Sequence, residues 1–179
     1  MRDFIKVMGI LWTGILVAVF IYPCLHEAGH MIAALLAGAE VADVQLLPLP
    51  SILCNIKNVG AVGQVFIGLA GMIVPALFSL LCRISPFYFW YAIVVLRGIC
   101  LLSLIISGVA IVLFQLGIPI ENEDMTGVLS VWPGGWPVLS FLLLLLGGLL
   151  VKKIVAEHPV ARCLDYFHID IAVKKREGA

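Results

Sequence analysis

Charge is what this sequence has least of. Only 12% of its 179 residues are Asp, Glu, Lys or Arg, too few to coat a soluble globule of that length. Eleven basic and eleven acidic residues cancel to a formal net charge of zero, so no basic surface argues for nucleic acid. The five cysteines (Cys24, Cys54, Cys82, Cys100, Cys163) include no pair at the spacing of a zinc knuckle or redox motif, and they read as small apolar fillers. Internal repeats and low-complexity tracts are also missing. The first apolar run contains no small-residue cleavage site, so a cleavable signal peptide is not expected.

What is present is apolar. Hydrophobic residues make up 63% of the chain and the mean hydropathy is +1.15. Several runs exceed the roughly 20 residues that cross a ~30 Å hydrocarbon core. The expected architecture is an all-α integral membrane protein of about four transmembrane helices, with a membrane-embedded core over residues 1–155 and a polar tail over 156–179. The first run, about Phe4 to Ala37, predicts one long helix, kinked at Pro23 and ended by a C-cap at Gly38. In residues 39–59 the pattern changes: Val41, Val44, Leu46 and Leu47 sit among Asp43 and Gln45, ahead of a Pro48-Leu49-Pro50 break. That predicts a short strand or hairpin at the membrane surface.

Further spans are expected from about Gly60 to Leu81, over 87–117 as one tilted helix, and from Val138 to about Val151, where Lys152 and Lys153 stop it. Gly60, Gly63, Gly68 and Gly71 suit close approach of a neighbouring helix, and simple packing explains them. Trp132 and Trp136, in a Pro-Gly-rich break, suit a membrane interface. Arg97 is expected to pair with the acidic residues at 121–124 or to snorkel to an interface. His158 and His168 belong to the solvated tail, as does Asp170.

The chemistry concentrates in one stretch, His26-Glu27-Ala28-Gly29-His30. Two histidines four residues apart project from one face of a helix and can bind one metal ion, with Glu27 beside them as general base. Ionisable groups at mid-bilayer cost roughly 2.5 kcal/mol or more each when charged, so they need a partner, and Zn2+ in a water-filled cavity supplies one. A polar helix-helix cluster without metal is the alternative. Cys24 falls on nearly the opposite face and is not expected to ligate. Catalytic zinc usually takes three protein ligands. Glu40 and Asp43 would have to fold straight back, which leaves the cluster from Glu121 to Asp124.

With these motifs the chain resembles the site-2 proteases, zinc metalloproteases that cut substrates within or beside the membrane. The likeness rests on His26 to His30, continuing into Ala33-Ala34-Leu35-Leu36-Ala37-Gly38, and on Gly68-Leu69-Ala70-Gly71-Met72-Ile73-Val74-Pro75, with Met72 where the family usually has proline. A third part is Phe114-Gln115-Leu116-Gly117-Ile118-Pro119 followed by Asp124-Met125-Thr126-Gly127, which resembles the stretch that leads to the family's Leu-Asp-Gly motif. Here Gln115 replaces asparagine and glycine follows the aspartate by three. The resemblance implies His26, His30 and Asp124 as ligands and Glu27 as base. Glu123 is the rival third ligand, because it stands at the family's spacing from Gln115. At a helix start Glu123 would point about 100° away from Asp124, so the two are not expected to share a metal.

The expected activity is therefore zinc-dependent endopeptidase action on a membrane-spanning protein, by a multi-pass protein of the cell membrane. A helical substrate must unwind before water can attack it, and β-addition to the strand at 41–47 could hold it open. Val41, Val44, Gln45 and Gln115 are the expected substrate contacts. A regulatory membrane partner, a silent zinc-binding homologue and a metal transporter complete the field. With four spans both termini share a side. Lys152, Lys153, Arg162, Lys174, Lys175 and Arg176 place the tail in the cytoplasm and His30 nearer the other face. The family resemblance implies a site nearer the cytoplasm, and an extra span hidden in 87–117 would remove the conflict.

Overall fold

The computed structural model of the chain describes residues 2–45, 50–121 and 123–167. The first apolar run is one helical rod in three parts: α1 (Arg2–Leu16), a π-helical turn (Val17–Ile21) and α2 (Tyr22–Leu36). Pro23 explains the middle part. Its ring lacks an N–H and would clash with the carbonyl four residues back in a regular helix. The turn widens instead, so that the Tyr22 N–H reaches back five residues to Val17 O. The expected kink is thus a π-bulge that lets the helix continue. α2 ends at Gly38, whose φ of +77° is the left-handed conformation a Schellman cap requires. The Gly38 N–H bonds Leu35 O, and the Ala39 N–H bonds Ala34 O.

A hairpin follows. β1 (Glu40–Gln45) runs antiparallel to β2 (Ser51–Asn55), with Val41 opposite Cys54, Val44 opposite Ile52 and an irregularity between Val41 and Asp43. Leu46, Leu47 and the Pro48-Leu49 part of the expected break lie outside the described residues. Ala34, Ala39 and Val59 form a small buried cluster that fastens the hairpin to the end of α2.

α3 (Ala61–Leu81), α4 (Phe87–Gln115) and α6 (Trp136–Ala156) complete four helices long and apolar enough to cross a membrane. At 29 residues α4 is about 43 Å long, more than a bilayer core, which tilt accommodates. It is unbroken, so no further span is hidden in it. Both ends of the described chain therefore meet on one side, where Lys6 Nζ donates to the Tyr166 carbonyl at 2.9 Å. The last span also outruns its expected stop: α6 passes Lys152 and Lys153 and ends at Ala156. A short helix, α7 (Pro159–Tyr166), follows the exposed His158. His168 and Asp170 lie outside the described residues.

One segment dips into the bundle without crossing it. Gly117, at φ +79°, forms a second Schellman cap: its N–H bonds Phe114 O, and the Ile118 N–H bonds Leu113 O. The chain then folds back along α4 until Ser107 Oγ donates to Glu123 at 3.2 Å. Ser107 lies eight residues, about 12 Å, before the end of α4. There α5 (Asp124–Val131) begins, packing its buried Met125, Val128 and Leu129 into the core. A 3₁₀ turn (Pro133–Gly135) joins it to α6.

Arg97 corrects the sequence reading. It neither meets the acidic cluster nor snorkels; it is 1% exposed and donates to Glu157 at 2.6 Å. Two further bonds go to the carbonyls of Ser79 (2.9 Å) and Cys82 (3.3 Å), at the end of α3. The cause is the length of α6, which carries Glu157 to the level of Arg97.

Candidate metal centre

Tyr22, His26 and His30 stand one turn apart along α2 and, with Glu27, line a cleft of about 590 Å³. Two glycines make the approach of α3 possible. A Cβ at Gly29 would overlap the Ala70 carbonyl, so α2 and α3 touch backbone to backbone there. A Cβ at Gly71 would overlap His30 Nε2 and lie 2.9 Å from His26 Cε1. Gly71 is the eleventh of the 21 residues of α3, so the histidines sit at the middle of that span.

Hydrogen bonding fixes His30. Its Nδ1 is 2.8 Å from the carbonyl of Ile67. A carbonyl only accepts, so Nδ1 carries the proton and the Nε2 lone pair of the neutral ring points away from the Ile67 carbonyl. That lone pair meets two others. His26 Nε2 is 3.1 Å away, and Asp124 Oδ2 is 3.3 Å from His30 Nε2 and 3.1 Å from His26 Nε2. Three acceptors converging this closely repel unless a proton or a cation lies among them.

The triangle fits zinc. Ligand atoms at about 2.0–2.1 Å from a tetrahedral ion stand about 3.3–3.4 Å apart, and the three edges here are 3.1, 3.1 and 3.3 Å. Two imidazoles and a carboxylate are also a donor set that zinc accepts, with a fourth position left open. His30, held through its other nitrogen, has the outer support usual for such a ligand. His26 Nδ1 is buried with no protein partner among the described residues. A family model described as Peptidase M50B-like matches residues 4–157.

The chain belongs to that family. It is the site-2 protease family, and the multi-pass membrane fold is the one the resemblance implied. No curated protein and no solved structure matches the chain. Within this M50B-like protein the structure brings His26, His30 and Asp124 together as one group that could hold a metal. Glu123 lines the same cleft but is not one of that group. Its carboxylate caps α5 by accepting the Thr126 N–H at 2.8 Å, so it answers neither solvent nor Arg97. Glu121 is exposed.

The residues expected to contact substrate are not on the cleft wall. Val41, Val44 and Gln45 are on β1 and do not line the cleft, whereas Ile52 and Cys54 of β2 do. The hairpin reverses direction, so its returning strand flanks the candidate centre. Gln115, the last residue of α4, is exposed and also off the cleft. Ser103 and Ser107 of α4 are the polar groups the sequence reading missed there; four apart, they share a helix face, but nothing in their neighbours marks them. Tyr22, one turn before His26, could have been found from its spacing. Burial pushes the Cys54 thiol up, and the nearby Glu27 carboxylate adds to it.

Proposed function

We propose that this protein hydrolyses a peptide bond of a membrane-spanning protein, with zinc held by His26, His30 and Asp124. The observation that carries the reading is the convergence of those three acceptor atoms beside Glu27 in a cleft flanked by a strand edge. Bound zinc would supply Lewis acidity and a water acidified to a pKa of about 7. Glu27, on the cleft wall, would take the proton of the attacking water and pass it to the leaving amine.

β2 pairs with β1 on one side only. Its other edge can hydrogen-bond an unwound substrate strand, with Ile52 and Cys54 facing the cleft. Such pairing replaces the helical bonds a substrate must give up in lipid. A transit pathway for metal would need successive ligand groups, and among the described residues His26, His30 and Asp124 form the one such group.

Orientation follows from charge. Arg83, Lys152, Lys153 and Arg162 gather at the bundle end that also receives Lys6, whereas among the described residues Lys57 is the one cation toward the hairpin end. By the positive-inside tendency the cleft opens away from the cytoplasm, with the cell membrane as the proposed location.

The test is Glu27→Gln in proteoliposomes containing a labelled single-span substrate. Zinc content should stay at about one per chain while cleavage falls by roughly 10²–10⁴-fold. Undiminished cleavage by that variant would remove Glu27 from the mechanism.

A further inference from the structure

At the bundle end remote from the metal centre, a cavity of about 390 Å³ is walled by Arg83, Arg97, Lys153 and Arg162, with Glu157 as its carboxylate. Four cations thus face one anion. Glu157 is fully engaged: Oε2 accepts from Arg97 at 2.6 Å and from Trp90 Nε1 at 3.1 Å, and Oε1 lies 3.8 Å from Lys153 Nζ. Arg97 is likewise committed to Glu157 and to two carbonyls. The remaining guanidiniums are not neutralised. Arg83 is exposed with no partner among the described residues, and Arg162 meets uncharged groups, the Ser85 carbonyl at 2.8 Å and the Trp90 ring at 4.3 Å.

We propose that this cavity binds the phosphate of an anionic lipid headgroup. Arginine is suited to such a group, because its planar fork offers paired donors to phosphate oxygens. The depth is right as well. The cavity lies where α3 ends, α4 begins and α6 finishes, beside an aromatic cluster in which Phe87 and Tyr166 stack at 3.7 Å. Aromatic side chains favour the headgroup level of a bilayer. Ile84, in the cavity wall, and Leu81 next to the turn are exposed apolar groups that an acyl chain could cover. A free phosphate would use the same cations but gain nothing from those apolar neighbours, so the lipid is the source proposed. The site stands apart from the chemistry at the metal centre.

Native mass spectrometry of the full chain in mixed micelles of phosphatidylglycerol and phosphatidylcholine reads the proposal directly. One phosphatidylglycerol per chain should be retained in preference to phosphatidylcholine. R83Q, which alters an exposed residue with no structural partner, should weaken retention severalfold, and R83Q with R162Q at least tenfold. Circular dichroism should show unchanged helix content in both. Inorganic phosphate, followed by ³¹P NMR, should show no saturable binding at low millimolar concentration. Equal retention of the two lipids, or undiminished phosphatidylglycerol on R83Q with R162Q, overturns the proposal. Saturable inorganic phosphate binding without lipid preference overturns the lipid as the source.

Discussion

Gly71→Ala tests the architecture of the centre without touching a ligand. The new methyl would sit 2.6 Å from His30 Cε1 and 2.9 Å from His26 Cε1, where carbon contacts are comfortable only from about 3.5 Å. One or both rings must therefore withdraw by roughly 0.6–0.9 Å, well beyond the ±0.2 Å a metal site tolerates. Retreat of α3 would stretch the bond from His30 to its Ile67 carbonyl and open the close packing of Gly29 on Ala70, so it does not relieve this cheaply. The variant should not weaken α3, because alanine is favoured over glycine in a helix interior by about 0.8–1.0 kcal/mol. We expect zinc affinity to fall about 10- to 100-fold, the range for lost support of a ligand. The assay is metal content by mass spectrometry after dialysis against graded chelator, with circular dichroism alongside. Gly98→Ala in α4, where an added Cβ meets nothing within 4 Å, is the control and should bind zinc like the parent. Wild-type zinc affinity in Gly71→Ala would refute the reasoning.

Three other outcomes are expected. Asp124→Asn should lose zinc, whereas Glu123→Ala should keep it and lower stability by about 0.5–2 kcal/mol through loss of the α5 cap, as metal analysis and thermal melts would show. Arg97→Met removes the main partner of the Glu157 carboxylate, leaving it Trp90 and Lys153, and should lower the melting temperature, with part of that recovered when Glu157→Gln is added; equal melting of the single and double variants would count against the pair. The raised pKa of Cys54 delays thiolate formation to higher pH, so its alkylation at pH 8 should be slow. Glu27→Gln removes a nearby negative charge, lowers that pKa and should speed the labelling of Cys54, read by peptide mass spectrometry.

The spans were legible because twenty-odd apolar residues in a row admit few other structures in lipid. His26, Glu27 and His30 were legible because ligand spacing and helical period coincide within five residues. Asp124 was less so, since its approach depends on a fold-back after Gly117 and on the bond from Ser107 to Glu123, contacts between residues distant along the chain. The strand facing the cleft was assigned to β1 from chain proximity. Hairpin geometry decides otherwise, and periodicity alone cannot show which of two paired strands turns toward a site. Arg97 was misread for a related reason: its partner lies 60 residues away, on a helix extended past two lysines.

The glycines of α3 have more to do than the sequence suggested. Simple packing would explain a small-residue face, but the face here sets two ligand-bearing elements against each other. Ile67 gives its carbonyl to His30. At Gly68 an added Cβ would press on Val128 and come within 3.6 Å of the Asp124 carbonyl, so this position receives the start of α5. Ala70 meets Gly29, and Gly71 receives both imidazoles. Four of the five residues from Ile67 to Gly71 on one rigid helix therefore fix α2 and α5 at the separation that brings a carboxylate to two histidines. A metal site needs its ligands held to fractions of an ångström. Backbone contact through glycine supplies that precision better than long side chains, which have rotamers to spare.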